Sequence, residues 1–99
     1  MTLSSKVQPR AEARLYQAAS WYQDEEPASL LWLELFDEFE AVLGLLREHP
    51  ESSPVYEGHV RRALLRRFPY AIYYVIEPNE IVVVNFLAMQ LERGPKPSR

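Results

Sequence analysis

The sequence predicts an α+β domain in which a short N-terminal strand and an α-helical hairpin pack on an antiparallel β-meander. Apolar side chains recur every three or four residues between residues 10 and 48, which is the spacing of one helical face. Most of the valine and isoleucine residues lie between residues 60 and 86, and such residues favour strands. A chain of 99 residues can bury one small core, so we expect a single domain over residues 1–99.

Two helices are predicted in the first half of the chain. Pro9 suits the first turn of a helix, where its missing amide costs nothing, and this helix should end near Asp24. Pro27 is interpreted as the start of a second helix, which ends before His49-Pro50 because the residue before proline disfavours the α region. The short connection makes the two helices an antiparallel hairpin. Four acidic residues of the second helix should face outward: Glu34, Asp37, Glu38 and Glu40.

The strands are predicted from breaks in the second half of the chain. Residues 3–8 form a short edge strand, and residues 51–58, rich in proline and serine, form a loop. Three consecutive antiparallel strands follow. Phe68-Pro69 separates the first from the second because proline has no amide hydrogen for the ladder, and a turn over residues 77–80 separates the second from the third.

The last of these strands predicts a binding partner. Its residues Ile81 to Val84 are apolar on both alternating faces, which is typical of a central strand that is covered on both sides. The helical hairpin can cover one side, but so short a chain has little left to cover the other. We therefore expect a second polypeptide to do so.

Composition narrows the functional classes. The chain has no cysteine, which excludes disulfides and thiolate metal sites. Its first residues lack the apolar core of a signal peptide, and no apolar run approaches the roughly 20 residues that cross a bilayer, so a cytoplasmic protein without membrane contact is expected. The net charge of −3 gives no overall attraction to nucleic acid, so direct nucleic-acid binding is not expected.

The candidate binding residues are a cluster of arginines and one tyrosine. Arg62 and Arg66 share strand parity, as do Arg61 and Arg67, so one pair could form a positive stripe for phosphates or for an acidic partner. The alternative is that these are solvated charges that protect a sheet edge from aggregation. Tyr73 faces opposite to Tyr70 and Tyr74, which should pack in the core, and so Tyr73 is the tyrosine predicted to contact a partner.

No catalytic or cofactor site is predicted. His49 is interpreted as a helix-end residue, and His59 lacks an orienting carboxylate in the sequence. Glu34 and Glu38 are four residues apart, but no Glu-x-x-His pattern accompanies them, so no metal site is assigned. Glycine-rich phosphate loops and nucleophile elbows are also absent from the sequence.

The order of several short motifs resembles the RelE/ParE superfamily of toxins from bacterial type II toxin–antitoxin modules. The resemblance spans almost the whole chain and is strongest for the ParE-like, or plasmid-stabilisation, branch. The residues that carry it are Pro9-Arg10-Ala11-Glu12, Trp21-Tyr22, His49-Pro50, Val60-Arg61-Arg62, Arg67-Phe68-Pro69-Tyr70 and Ile72-Tyr73-Tyr74.

The resemblance implies a helical hairpin on an antiparallel sheet, bound by a cognate antitoxin. ParE-like toxins act on DNA gyrase and are not hydrolases, so the branch implies that this chain is not an enzyme. The branch typically ends its sheet in His-x-Arg-Arg-x-Pro, of which Arg93 and Pro95 are present while Gln90 and Glu92 replace the histidine and one arginine. The residues implied in partner or target binding are Arg61, Arg62, Arg66, Arg67, Tyr73 and Arg93. The resemblance also implies either a hetero-oligomer with the antitoxin or a homodimer.

Two alternatives remain within the superfamily. RelE-like members cut messenger RNA on the ribosome and use an arginine directly after the tyrosine of the third strand, together with a C-terminal tyrosine. Here Ala71 follows Tyr70, and no tyrosine follows Tyr74. An mRNA interferase would therefore need a rearranged basic site. The other alternative is a non-toxic homologue that only binds an antitoxin.

Overall fold

The computed structural model describes residues 2–89, which form two helices on one side of a five-stranded sheet. The elements in chain order are β1 (Ser4–Val7), α1 (Pro9–Glu25), α2 (Leu31–Glu48), β2 (Val55–Glu57), β3 (Val60–Leu64), β4 (Tyr70–Ile76) and β5 (Glu80–Ala88). The strand order across the sheet is β1-β5-β4-β3-β2. The predicted α+β architecture of short strand, helical hairpin and meander is confirmed.

The helical hairpin has the predicted outer ends. Pro9 lies in the first turn of α1, and His49 is the C-cap of α2, with its backbone amide donating to the Leu45 carbonyl at 2.8 Å. A C-cap position at the last turn suits a basic side chain because the helix carbonyls there carry partial negative charge. Neither helix of the described residues is long and apolar enough to cross a membrane.

The predicted start of α2 at Pro27 is wrong, because the helix begins at Leu31. The intervening turn is closed by Ser29, whose hydroxyl donates to the Glu26 carbonyl at 2.8 Å and accepts the Leu31 amide at 3.2 Å. A serine that bonds nearby backbone groups in this way competes with helical hydrogen bonding. Leu30 takes the left-handed conformation, with φ of 60°, which ends the turn and delivers the chain into α2.

The meander of β3, β4 and β5 is antiparallel throughout, as predicted. The loop predicted over residues 51–58 is wrong in part, because residues 55–57 form β2, an edge strand paired antiparallel with β3. The turn between these strands contains Gly58 at φ of 59°, a conformation that glycine adopts without a Cβ clash. A further difference is that β3 ends at Leu64, before the arginines at 66 and 67.

The predicted N-terminal strand is present, but it adds a parallel pairing to the sheet. β1 runs parallel to β5, with Ser4 opposite Glu80 and Val7 opposite Val83. The sheet is therefore mixed, and β5 lies between β1 and β4. The central position predicted for the strand beginning at Ile81 is confirmed.

The core lies between the hairpin and one face of the sheet. Tyr74 belongs to it and Tyr70 packs against it, as predicted, with the Tyr70 ring stacked on Phe86 at 5.1 Å between centroids. A bulge in β5 opposite Tyr73 and Tyr74 shifts its alternation, so Ile81, Val83 and Phe86 all reach the core. The helices contribute Ala11, Leu15, Ala18, Ala19, Leu35, Phe39, Leu43 and Leu46 to this core.

Candidate partner-binding surface

The sheet face opposite the helices, called the open face here, carries apolar and basic side chains, and three of them are buried: Ala71, Tyr73 and Val82. Directly paired residues of neighbouring strands place their side chains on the same face. The rows of the open face are Lys6, Val82 and Val75; Arg62, Tyr73 and Asn85; and Leu64, Ala71 and Leu87. Within residues 2–89, both helices pack on the other face, so no helix covers this one.

An aromatic and cationic stack crosses the middle of the open face. The Arg62 guanidinium lies 4.9 Å from the centroid of the Tyr56 ring, and that ring meets Tyr73 nearly perpendicularly at 5.1 Å. The Tyr73 hydroxyl in turn lies 3.9 Å from the Met89 sulfur. Tyr73 does face away from the core, as predicted, but only 7% of it is exposed, and Tyr56 packs against its ring. Tyr56, which is 53% exposed, therefore presents the outer aromatic surface.

Arg61 lies on the opposite face from Arg62, as strand alternation predicts. Its guanidinium donates to the Ser53 carbonyl at 2.7 Å and reaches the Glu51 carbonyl at 3.4 Å. Arg61 therefore holds the segment that connects α2 to β2. The expected role of Arg61 in partner binding stays a prediction.

Tyr74 supports the same connecting segment from the core side. Its hydroxyl donates to the Pro50 carbonyl at 2.7 Å. Burial raises the pKa of Tyr74 above its ordinary value, while hydrogen bonding with Ser53 and the charge of Arg61 oppose that rise. Burial also raises the pKa of Tyr70.

The predicted arginine stripe along one strand is wrong, because β3 ends at Leu64 and strand parity does not extend to Arg66 and Arg67. These two residues lie in the loop over residues 65–69, called the arginine loop here. The Arg67 guanidinium forms an ion pair with Glu34 of α2 at 2.5 Å. An internal carboxylate thus neutralises Arg67.

The outward-facing acids of α2 are of two kinds. Asp37 and Glu40 are exposed, as predicted, whereas Glu34 and Glu38 are half-buried beside the arginine loop. The carboxylate of Glu38 accepts the backbone amides of Arg66 and Arg67. Residues 2–89 contain no group of three or more side chains that could hold a metal ion.

Two grooves lie where β4 begins and β5 ends. One, of about 270 Å³, lies between α1 and the end of β5 and is called the α1–β5 groove here. Trp21, which is exposed, lines it, and so does Arg14. Neither was a candidate binding residue from the sequence, since helical spacing alone does not show which helix edge lies over a strand end. The other groove lies along the arginine loop.

His59 lines a cleft of about 570 Å³ at the far end of the sheet, together with Arg61 and Glu77. Glu77 is a carboxylate that the sequence did not place near this histidine. The cleft is otherwise lined by Gly58 and by apolar side chains of Val55, Val75 and Ile76. The remaining candidate, Arg93, lies outside the described residues.

Comparison with known proteins agrees with this geometry. The model of the family described as ParE toxin of type II toxin-antitoxin system, parDE, matches residues 6–90. A solved structure described as the chromosomal ParDE TA system from P. aeruginosa contains a chain with a TM-score of 0.75 and 17% sequence identity. That match covers 88% of this chain and 96% of the other, and it shows the same fold. No curated protein sequence matches the chain.

Proposed function

The chain belongs to the ParE toxin family of type II toxin–antitoxin systems, and we propose that a cognate antitoxin neutralises it by binding the open face and the α1–β5 groove. The fully active toxin is then the free chain, and DNA gyrase is its target. We expect this activity in the cytoplasm. The resting form is a hetero-oligomer of toxin and antitoxin, and the alternative is a homodimer of the free toxin.

The observation that carries the proposal is the open face itself. It presents Arg62, Tyr56 and Leu64 on a five-stranded sheet, with no helix of residues 2–89 over them. Aromatic and arginine side chains are the residues that most often dominate binding energy in protein interfaces. A partner that covers this face would bury the apolar and aromatic area of Leu64 and Tyr56.

The residue at position 71 argues against messenger cleavage and so favours gyrase poisoning. The RelE-like site needs an arginine directly after the tyrosine that corresponds to Tyr70 of β4. The residue at that position here is Ala71, which is 0% exposed. A guanidinium at this position would have to displace neighbouring side chains of the sheet. The phosphate clamp of an in-line 2′-hydroxyl attack therefore has no arginine at the corresponding position.

Two assays test the proposal together. In the first assay, the chain is induced in its host alone and together with the protein encoded by the open reading frame next to its gene, called the adjoining-frame protein here. In the second, the purified chain is added to a gyrase supercoiling reaction. We expect growth arrest with DNA damage that the adjoining-frame protein relieves, and loss of supercoiling in vitro. Cleavage of translated messages would overturn the proposal in favour of an interferase, and unimpeded growth in favour of a non-toxic antitoxin binder.

A further inference from the structure

The conformation of the arginine loop is set by one side chain of α2. Within the loop, the Leu65 amide donates to the Tyr70 carbonyl at 2.9 Å, and the Tyr70 amide donates to Phe68 at 2.8 Å. The amides of Arg66 and Arg67 donate instead to the Glu38 carboxylate, at 3.1 and 3.2 Å for Arg67. Hydrogen bonds to a carboxylate are stronger than those between neutral groups, so Glu38 fixes the backbone at the two arginines.

Glu34 lies one helical turn before Glu38 and determines which arginine side chain is available. It pairs with the Arg67 guanidinium, which is thereby drawn towards α2. Arg66 is exposed, and its side chain makes no hydrogen bond or ion pair with the residues that the structure describes. Among residues 2–89, the two glutamates thus leave Arg66 as the cation of the loop without an ion pair.

We propose that Arg66 is the specificity-determining cation of the arginine loop, that it pairs with a carboxylate of an acidic antitoxin segment, and that Glu38 and Glu34 are positioning residues. Glu38 holds the loop backbone, and Glu34 withdraws Arg67 from the contact. This inference rests on the proposed function, because it names the residue and the partner chemistry through which the antitoxin binds.

The surroundings of Arg66 favour a peptide carboxylate as the occupant. The loop borders a groove of about 360 Å³ that is lined by Leu64, Phe68, Pro69 and Met89 in addition to the two arginines. An amphipathic acidic segment matches both the apolar lining and the single cation. A nucleic-acid strand carries a charge about every 3.4 Å, and a single available cation would leave the neighbouring phosphates without a partner.

The test compares arginine variants of equal charge. Binding of the full chain to the adjoining-frame protein is measured by calorimetry for the wild type, Arg66→Gln, Arg67→Gln and the control Arg10→Gln. Arg10 is exposed and lies twelve residues before Tyr22 in α1, about 18 Å along the helix; Tyr22 is the α1 residue that contacts Phe68 of the loop. We expect Arg66→Gln to weaken binding about tenfold or more, and the other two less than about threefold.

Glu38 is tested as a positioning residue by its coupling to Arg66. Glu38→Ala should accelerate hydrogen exchange of the Arg66 and Arg67 amides about tenfold, while Glu40→Ala, at an exposed position of α2, should leave them unchanged. The double variant of Arg66→Gln with Glu38→Ala should bind within about twofold of Arg66→Gln alone. Additive losses would assign Glu38 a merely structural role and overturn this part of the inference.

The outcomes separate this inference from the proposed function. If the adjoining-frame protein does not bind the wild-type chain, both are wrong. If it binds but Arg67→Gln weakens binding more than Arg66→Gln, only the assignment of Arg66 is wrong. Binding of a single-stranded DNA oligonucleotide that depends on Arg66 would replace the peptide carboxylate by a phosphate as the ligand.

Discussion

The Tyr74 hydroxyl donates a hydrogen bond of 2.7 Å to the carbonyl of Pro50, and this bond links the middle of β4 to the residue after the C-cap of α2. Tyr74 is buried, so the bond helps to satisfy a polar atom that the fold removes from solvent. It also fixes the start of the segment that Arg61 holds from the sheet. The path from helix to sheet edge thus has two separate anchors.

The first prediction concerns alkaline stability. Because burial raises the pKa of Tyr74 above its ordinary value of 10.0, the folded state favours the protonated hydroxyl. This contribution to stability is fully present below pH 10.0 and is lost as the pH rises through the folded-state pKa. Urea unfolding should show a smaller alkaline loss for Tyr74→Phe than for the wild type. Equal losses in the two proteins would exclude Tyr74 as a cause.

The second prediction separates Arg61 from Arg62. Lysine cannot reproduce the contacts of the Arg61 guanidinium with two carbonyls, so Arg61→Lys should destabilise the fold by about 1–2 kcal/mol. Hydrogen exchange should increase at residues 51–54. Arg62→Lys, on the open face, should change the free energy of unfolding by less than about 0.5 kcal/mol. A larger effect at Arg62 would mean that the open-face stack, and not the connecting segment, limits stability.

The third prediction uses two leucines of α2. Leu35 is 0% exposed and belongs to the core, whereas Leu33 is 43% exposed. Leu35→Ala should reduce the free energy of unfolding by about 2–5 kcal/mol because it leaves a cavity, and Leu33→Ala by less than about 1 kcal/mol. Chemical denaturation of both variants measures the difference. Similar values would contradict the orientation of α2.

The fourth prediction uses two glycines with opposite expected signs. Gly58 has φ of +59°, and a Cβ there would meet nothing within 4 Å, so Gly58→Ala should cost about 1–2 kcal/mol through backbone strain alone. Gly44 lies inside α2, where a Cβ would make an ordinary contact of 3.6 Å with Arg47. Gly44→Ala should therefore stabilise the chain by about 0.5–1 kcal/mol, as judged by thermal unfolding. Stabilisation by Gly58→Ala would rule out the left-handed turn.

The sequence predicts the helices, the meander and the central position of β5 because these follow from local periodicity and from prolines. It misses β2 because three exposed residues between Pro54 and Gly58 show no alternation of apolar and polar side chains. It also places the start of α2 too early. The turn before this helix is closed by hydrogen bonds of the Ser29 hydroxyl to nearby backbone groups, which hydrophobic periodicity does not show. The parallel pairing of β1 with β5 joins residues far apart in the chain, which no local pattern shows.

The site is less predictable than the fold. Alternation does place Arg61 and Arg62 on opposite faces, and it places Tyr73 away from the core. It does not show that β3 stops at Leu64, and so it cannot say where the arginines of the loop point. The pairing of Glu38 with amides 28 and 29 residues later arises from tertiary packing alone.

Hydroxyl-radical footprinting of the chain, free and bound to the adjoining-frame protein, tests most directly whether a second polypeptide completes the open face. We expect protection of Tyr56 and Leu64 on the sheet and of Trp21 in the α1–β5 groove, all of which are exposed in the chain alone. Leu45, exposed on α2, serves as the internal control and should stay reactive. Protection of Leu45 with Tyr56 and Leu64 unchanged would show that the second polypeptide does not bind the open face.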